Sequence, residues 1–171
     1  MNNESKFGEK PHIKYNNGIV CKTPTYPMHL KVFPIFENYE KVYGSLNFIP
    51  KILNYNETSY SYEYIDEITI KDKLINDGII CGPISQKMIL ELKIAMDDIW
   101  KKLYQMSVEQ LPTGDFLYYS DPHLGNMIWR DDSKELILLD MDCFEIRRYI
   151  PISWLNNQFI QQLENYIHVY R

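Results

Sequence analysis

The stretch from Tyr118 to Glu145, YYSDPHLGNMIWRDDSKELILLDMDCFE, constrains this chain more than any other. A polar loop over 120–126 leads into an apolar run, Met127 to Trp129. The turn Asp131-Asp132-Ser133-Lys134 separates it from a second apolar run, Leu136 to Leu139. Two such runs around a turn of this composition predict a hairpin. Its second strand ends at Asp140, beside the loop from which the first strand began. Asp121 and Asn126 lie five apart in that loop, and Asp140 follows Asn126 by fourteen residues. The hairpin thus predicts three oxygen-bearing side chains, distant in sequence, converging on one point. Loops favour Asp and Asn in any case, so the spacing and the apolar strand before Asp140 carry the inference.

Hard oxygen donors of this kind suit Mg²⁺, which takes one or two carboxylates together with phosphate and water. Phosphoryl transfer needs such a set. One carboxylate orients the acceptor hydroxyl and takes its proton, and the others hold a metal that neutralises charge on the phosphates.

The rest of the chain reads as follows. Ile13 to Tyr15 and Ile19 to Lys22 form two strands around Asn16-Asn17-Gly18, a strong hairpin signal. Pro24 and Pro27 end the second strand. Residues 28–43 become helical in their later part, with Phe36, Tyr39, Val42 and Tyr43 at helical spacing, Pro34 in the first turn and Gly44 as C-cap. Pro50 to Leu53 and Tyr60 to Ile65 read as strands around a turn at Asn54–Glu57. A helix over 86–104 follows from Ile89, Leu92, Met96, Ile99 and Leu103, with Ser85 as N-cap. Phe116 to Tyr119 is a short strand. A final helix from near Ser153 carries Leu155, Phe159, Leu163 and Ile167 on one face. Strands early and helices later predict an α+β fold.

Composition sets the outer limits. A chain of 171 residues makes one domain or two small lobes sharing a cleft. With 45% hydrophobic and 24% charged residues it has the means for an ordinary core. The net charge of -5 disfavours a broad nucleic-acid or anionic-membrane partner, since both need clustered Lys and Arg. Cys21, Cys81 and Cys143 are odd in number and lack a CxxC pair, which argues against a disulfide framework or a structural zinc and for a cytoplasmic setting. Met1 to Lys10 carry no apolar signal segment, and no apolar run reaches the roughly 18 residues of a spanning helix.

At Tyr119-Ser120-Asp121-Pro122-His123-Leu124-Gly125-Asn126 and Leu138-Leu139-Asp140-Met141-Asp142 the sequence resembles the protein-kinase-like phosphotransferases of the aminoglycoside and choline kinase type. Their loop reads H-G-D-x-H-x-x-N, followed by a strand and L-I-D. The resemblance implies a small antiparallel-sheet lobe over residues 1–66 and an abbreviated, mainly helical lobe over 67–171. It implies an ATP- and Mg²⁺-dependent enzyme acting on a hydroxyl of a small molecule or protein, with Asp121 as catalytic base and Asn126, Asp140 and Asp142 around the metal. His123 would support the loop. Lys22 would steady the α- and β-phosphates, paired with Glu37 or, one turn later, Glu40. The Glu63 carbonyl and the Ile65 amide would contact adenine, with Tyr62 behind it.

The sequence departs from that pattern in three places. No Gly-rich phosphate loop is evident, Tyr119 replaces the usual histidine, and the chain after Asp142 is short. A homo-oligomer would cover apolar surface left by an abbreviated lobe. Two rival readings follow: a catalytically inactive pseudokinase acting as a nucleotide-binding or regulatory module, and a metal-dependent hydrolase using Asp121, His123, Asp140 and Asp142.

Overall fold

The computed structural model describes residues 12–24, 26–76, 79–80, 86–148 and 152–168. Strands β1 (Ile13–Asn16) and β2 (Ile19–Lys22) pair antiparallel around Asn17 and Gly18, whose φ angles of 47° and 79° are both left-handed. That is the turn Asn-Gly favours, because its twist matches that of the strands it joins. Val20 points inward while Ile19 and Cys21 are exposed, the alternation of a sheet covered on one face. A short 3-10 segment, Pro27–Val32, feeds helix α1 (Phe33–Tyr43). Pro34 sits in the first turn of α1 and Gly44 closes it at φ 89°, as the sequence led us to expect.

Strands β3 (Ile52–Tyr55) and β4 (Tyr60–Glu63) complete a four-stranded antiparallel sheet in the order β1-β2-β4-β3. The turn between them falls two residues later than the sequence suggested. The Asn56 side-chain carbonyl accepts from the backbone amides of Thr58 and Ser59 at 2.8 and 2.9 Å. This Asx-type bonding fixes the turn at Asn56, beyond Asn54. Helix α1 packs on the sheet through Phe33, whose ring lies 4.8 Å from that of Tyr60 and 5.5 Å from that of Tyr55.

A short helix α2 (Ile70–Leu74) and the two-stranded pair β5 (Ile75–Asn76) and β6 (Ile79–Ile80) lead to helix α3 (Gln86–Gln110). The apolar stripe expected on α3 is buried, and the helix runs six residues past the expected end, adding Met106 and Ser107 to the buried face. Ser85, expected to cap it, lies outside the described residues, as do Cys81 and the side chains of Leu155 and Ile167.

Ser107 ties α3 to the next strand, β7 (Asp115–Tyr119). Its hydroxyl donates to Leu103 O at 2.7 Å and accepts from the Leu117 amide at 2.8 Å, with the side chain almost wholly out of water. Ser107→Ala leaves a buried amide without a partner, which costs about 1–3 kcal/mol. Urea unfolding should record this as a lower midpoint at unchanged slope.

Strand β7 pairs antiparallel with β10 (Phe144–Arg148), a strand the sequence did not announce because polar Glu145, Arg147 and Arg148 dilute its pattern. Between them stand the expected hairpin strands β8 (Met127–Arg130) and β9 (Glu135–Leu138). The final helix α4 (Ile152–His168) buries Phe159 and Leu163. The architecture is α+β, with antiparallel sheets throughout the described residues. Among those residues, no helix is long and apolar enough to cross a membrane.

Candidate active site

The polar loop is wound by its own backbone. The His123 amide donates to Asp121 O at 2.7 Å and the Asn126 amide to His123 O at 2.8 Å. Nδ1 of the exposed His123 accepts from the Gly125 amide at 3.0 Å, so the imidazole braces the loop from its solvent side. A Cβ on Gly125 would stand 3.0 Å from that same nitrogen, so a larger residue would push the imidazole aside. The side-chain amide of Asn126 donates to Asp121 Oδ2 at 3.1 Å. Its carbonyl oxygen, the atom a cation requires, occupies the other fork.

The hairpin returns the chain as expected. Met127 lies opposite Leu138, and the Leu139 amide donates to Asn126 O at 2.8 Å. Asp140 is therefore the next residue after a direct backbone link to the loop. It caps a 3-10 turn, Met141–Cys143, by accepting from the Asp142 amide at 3.3 Å. That turn places both carboxylates on one side. Ser120 closes the other flank, its amide donating to Cys143 O at 2.7 Å.

Lys22 reaches this pair from the sheet. Its Nζ stands 2.8 Å from Asp140 Oδ1 and 2.8 Å from Asp142 Oδ2. The Lys22 side chain is only 12% exposed, against 35% for Asp140 and 19% for Asp142. Burial alone would lower the ammonium pKa. The charge of Asp140 and the hydrogen bonds that the ammonium donates to both carboxylates outweigh it and raise the value. Asp140 responds in the opposite sense: burial would raise it, but the Lys22 charge and bond hold it below the usual carboxylate range. Tyr60 completes the group by donating to Asp142 Oδ1 at 2.7 Å. Burial, then the Asp142 charge, push its phenol far up, and burial pushes Tyr62 up to about 12.

The acidic residues expected on α1 have other partners. Glu37 pairs with Lys41 at 2.8 Å and accepts from the Tyr55 hydroxyl at 2.5 Å, on the outer surface. Its pKa is lowered first by Lys41 and then by Tyr55. Glu40 accepts from the Leu46 amide at 3.0 Å. Neither forms the expected pair with Lys22. Asp142 is a carboxylate that meets Lys22 instead: Lys22 lies opposite Tyr60 in the β2–β4 ladder, and both side chains reach Asp142.

In the expected hinge, the Glu63 amide donates to Lys51 O at 2.9 Å and the Tyr64 amide to Gly18 O at 2.7 Å, which holds the segment between its neighbours. Glu63 and Ile65 also line a cavity of about 690 Å³ with Glu40, Lys51, Arg130 and Glu135. Lys22, Asp121, Asn126 and Asp140 are not among its lining residues.

Two contributors escaped sequence reasoning. Tyr60 has no signal beyond its place opposite Lys22. Gln162 sits next to buried Leu163 on α4. It accepts from the Leu124 amide and donates to Pro122 O, both at 3.2 Å, and so clamps the loop that carries Asp121. A polar residue beside the apolar face of an amphipathic helix was the available clue.

The donor set fits Mg²⁺. Among the described residues, no group of three His, Cys, Asp or Glu side chains stands ready to hold a metal unaided. Mg²⁺ does not need one, because it takes one or two carboxylates and completes its shell with phosphate and water.

No protein-family model matches the chain, and no curated protein matches it. Solved structures of protein-kinase-like phosphotransferases and of a viral kinase are similar to it over most of its length. The Cydia pomonella granulovirus kinase PK-1 is 15% identical, with a TM-score of 0.46, over 76% of this chain and 45% of that one. This chain thus spans less than half the length of that kinase. The aminoglycoside phosphotransferase APH(2'')-Ib, with ADP bound, is 13% identical at a TM-score of 0.38, over 92% of this chain and 76% of that one. The macrolide 2'-phosphotransferase MphH from Brachybacterium faecium is 8% identical at 0.37, over 84% and 69%. With identities of 8–15% and TM-scores below 0.5, these are likenesses and no more.

Proposed function

We propose that this chain is an ATP- and Mg²⁺-dependent phosphotransferase of protein-kinase-like architecture, moving the γ-phosphoryl group to a hydroxyl of a small molecule or protein. One observation carries the reading: Lys22, from the sheet, and Asp140, one residue past the backbone link to Asn126, meet at 2.8 Å. A cation donor for phosphates and an oxygen donor for a metal at one point are the two fixed charges that phosphoryl transfer requires. We read residues 1–66 as the nucleotide lobe and 67–171 as an abbreviated second lobe. The unpaired Cys21 and Cys143 suit a reducing cytoplasm.

In this reading Asp121 accepts the proton of the acceptor hydroxyl. It is exposed, and the Asn126 amide fixes its orientation at 3.1 Å. His123 and Gln162 hold the loop beneath it. Asn126 and Asp140 supply the metal ligands, and Lys22 supplies charge to the phosphates. The bound Mg²⁺ would neutralise phosphate charge as it shifts toward the leaving oxygen.

Thermal unfolding with ATP should give a higher Tm with Mg²⁺ than without it, and Asp140→Asn should abolish the difference. An equal Tm with and without nucleotide, in both buffers, would remove the proposal. The rival reading, a nucleotide-binding pseudokinase without turnover, draws support from the engagement of Lys22 by both carboxylates and of Glu37 by Lys41. Sustained phosphate transfer to any hydroxyl acceptor would dismiss it.

A further inference from the structure

The phosphate-binding lysine of such a site needs a fixed carboxylate partner, and the helix α1 glutamates do not provide one. Asp142 has its two oxygens divided. Oδ2 faces Lys22 Nζ at 2.8 Å and Oδ1 accepts from the Tyr60 hydroxyl at 2.7 Å. Asp140 differs. Its Oδ1 serves both Lys22 and the Asp142 amide, and its side chain is the more exposed of the two. Tyr60 is itself fixed. Its ring is buried against Phe33 at 4.8 Å, and its backbone lies opposite Lys22 in the β2–β4 ladder. Directly opposed residues on neighbouring strands project from the same face, so the hydroxyl and the ammonium arrive together at one carboxylate.

We propose that Asp142, held by Tyr60, is the positioning residue for the Lys22 ammonium and is not a metal ligand. The proposal rests on the phosphotransferase reading for its purpose, but the triad Tyr60–Asp142–Lys22 can be tested apart from it. A carboxylate with one oxygen held by a phenol and the other by an ammonium is oriented at both ends. Each oxygen keeps a second lone pair, but a cation at either one would have to share it with the phenol or the ammonium already bonded there. Asp140, whose carboxylate also takes a hydrogen bond from the Cys143 thiol, exchanges Lys22 for metal while Asp142 retains the lysine. The ammonium would then stay beside the phosphates when metal enters.

Two measurements decide the matter. In the first, hydrogen exchange of the Lys22 ammonium is followed by ¹⁵N NMR in the full chain without nucleotide. Tyr60→Phe and Asp142→Asn should each speed exchange about tenfold, the scale of a lost bond to a charged group, and Asp142→Glu should restore most of the protection. Unchanged exchange in both variants overturns the triad. In the second, ADP binding is measured by calorimetry across a Mg²⁺ series. Asp142→Asn should weaken ADP about tenfold at saturating Mg²⁺, with the Mg²⁺ midpoint unchanged. A displaced Mg²⁺ midpoint with ADP affinity intact makes Asp142 a metal ligand and overturns the assignment. Tighter ADP binding also overturns it, because Lys22 would then be an obstacle that Asp142 holds in the way. Absence of ADP binding in the unaltered chain refutes the phosphotransferase reading, while the exchange measurement still decides the triad.

Discussion

Asp121→Ala is expected to lower turnover about a thousandfold while leaving nucleotide affinity within about twofold, since a positioned general base contributes roughly 10²–10⁴ in rate. The side chain is exposed and bonded only to the Asn126 amide among its described partners. Its loss therefore leaves the loop standing on the His123, Asn126 and Gln162 bonds. A small rearrangement of Asn126 is the one structural consequence foreseen, because its amide loses an acceptor. The measurement is a pair: phosphate transfer to an acceptor hydroxyl, and ADP affinity by calorimetry. A variant that turns over as fast as the unaltered chain would remove Asp121 from the chemistry. A variant that loses both activities together would move it to the metal.

Much of this geometry could be read from the order of residues. The hairpin over 127–138 was legible because two apolar runs flank a turn of Asp, Ser and Lys, and pairing in register then fixes Asn126 against Leu139. The Asn17-Gly18 turn was legible because few other residues adopt two successive left-handed conformations. The partner of Lys22 was not. Local sequence places Glu37 on the helix after the strand, but which face of α1 turns inward depends on Phe33, Ile35, Phe36 and Tyr39 filling the core. Those four claim the buried face and leave Glu37 outside. Strand β10 was missed for a related reason: it borrows its order from β7, with Phe144 opposite Tyr119, and carries little pattern of its own. Long-range register, unlike turn chemistry, has no local signature.

Lys22→Met is expected to destabilise the chain by about 2–4 kcal/mol at neutral pH, the scale for removing one partner of a part-buried ion pair after allowing for the exposure of Asp140. The sign of its pH dependence is the sharper test. In the unaltered chain the Asp140 carboxyl is held below its ordinary range. Its contribution is therefore complete above the unfolded value of about 3.9 and is lost as pH falls through the lower folded value. The Lys22 pKa is raised, so its contribution is complete below about 10.4 and is lost only as pH rises through the higher folded value. The pair thus stabilises across the whole range between. Without the ammonium, Asp140 and Asp142 face one another unscreened, and one of them retains a proton to higher pH in the folded chain than in the unfolded one. A group of that kind stabilises as pH falls. The deficit of Lys22→Met relative to the unaltered chain should therefore shrink from pH 7 toward pH 4. Urea unfolding at pH 7, 5.5 and 4 measures it directly, and a deficit that stays constant or widens on acidification would mean that the two carboxylates do not share the Lys22 charge.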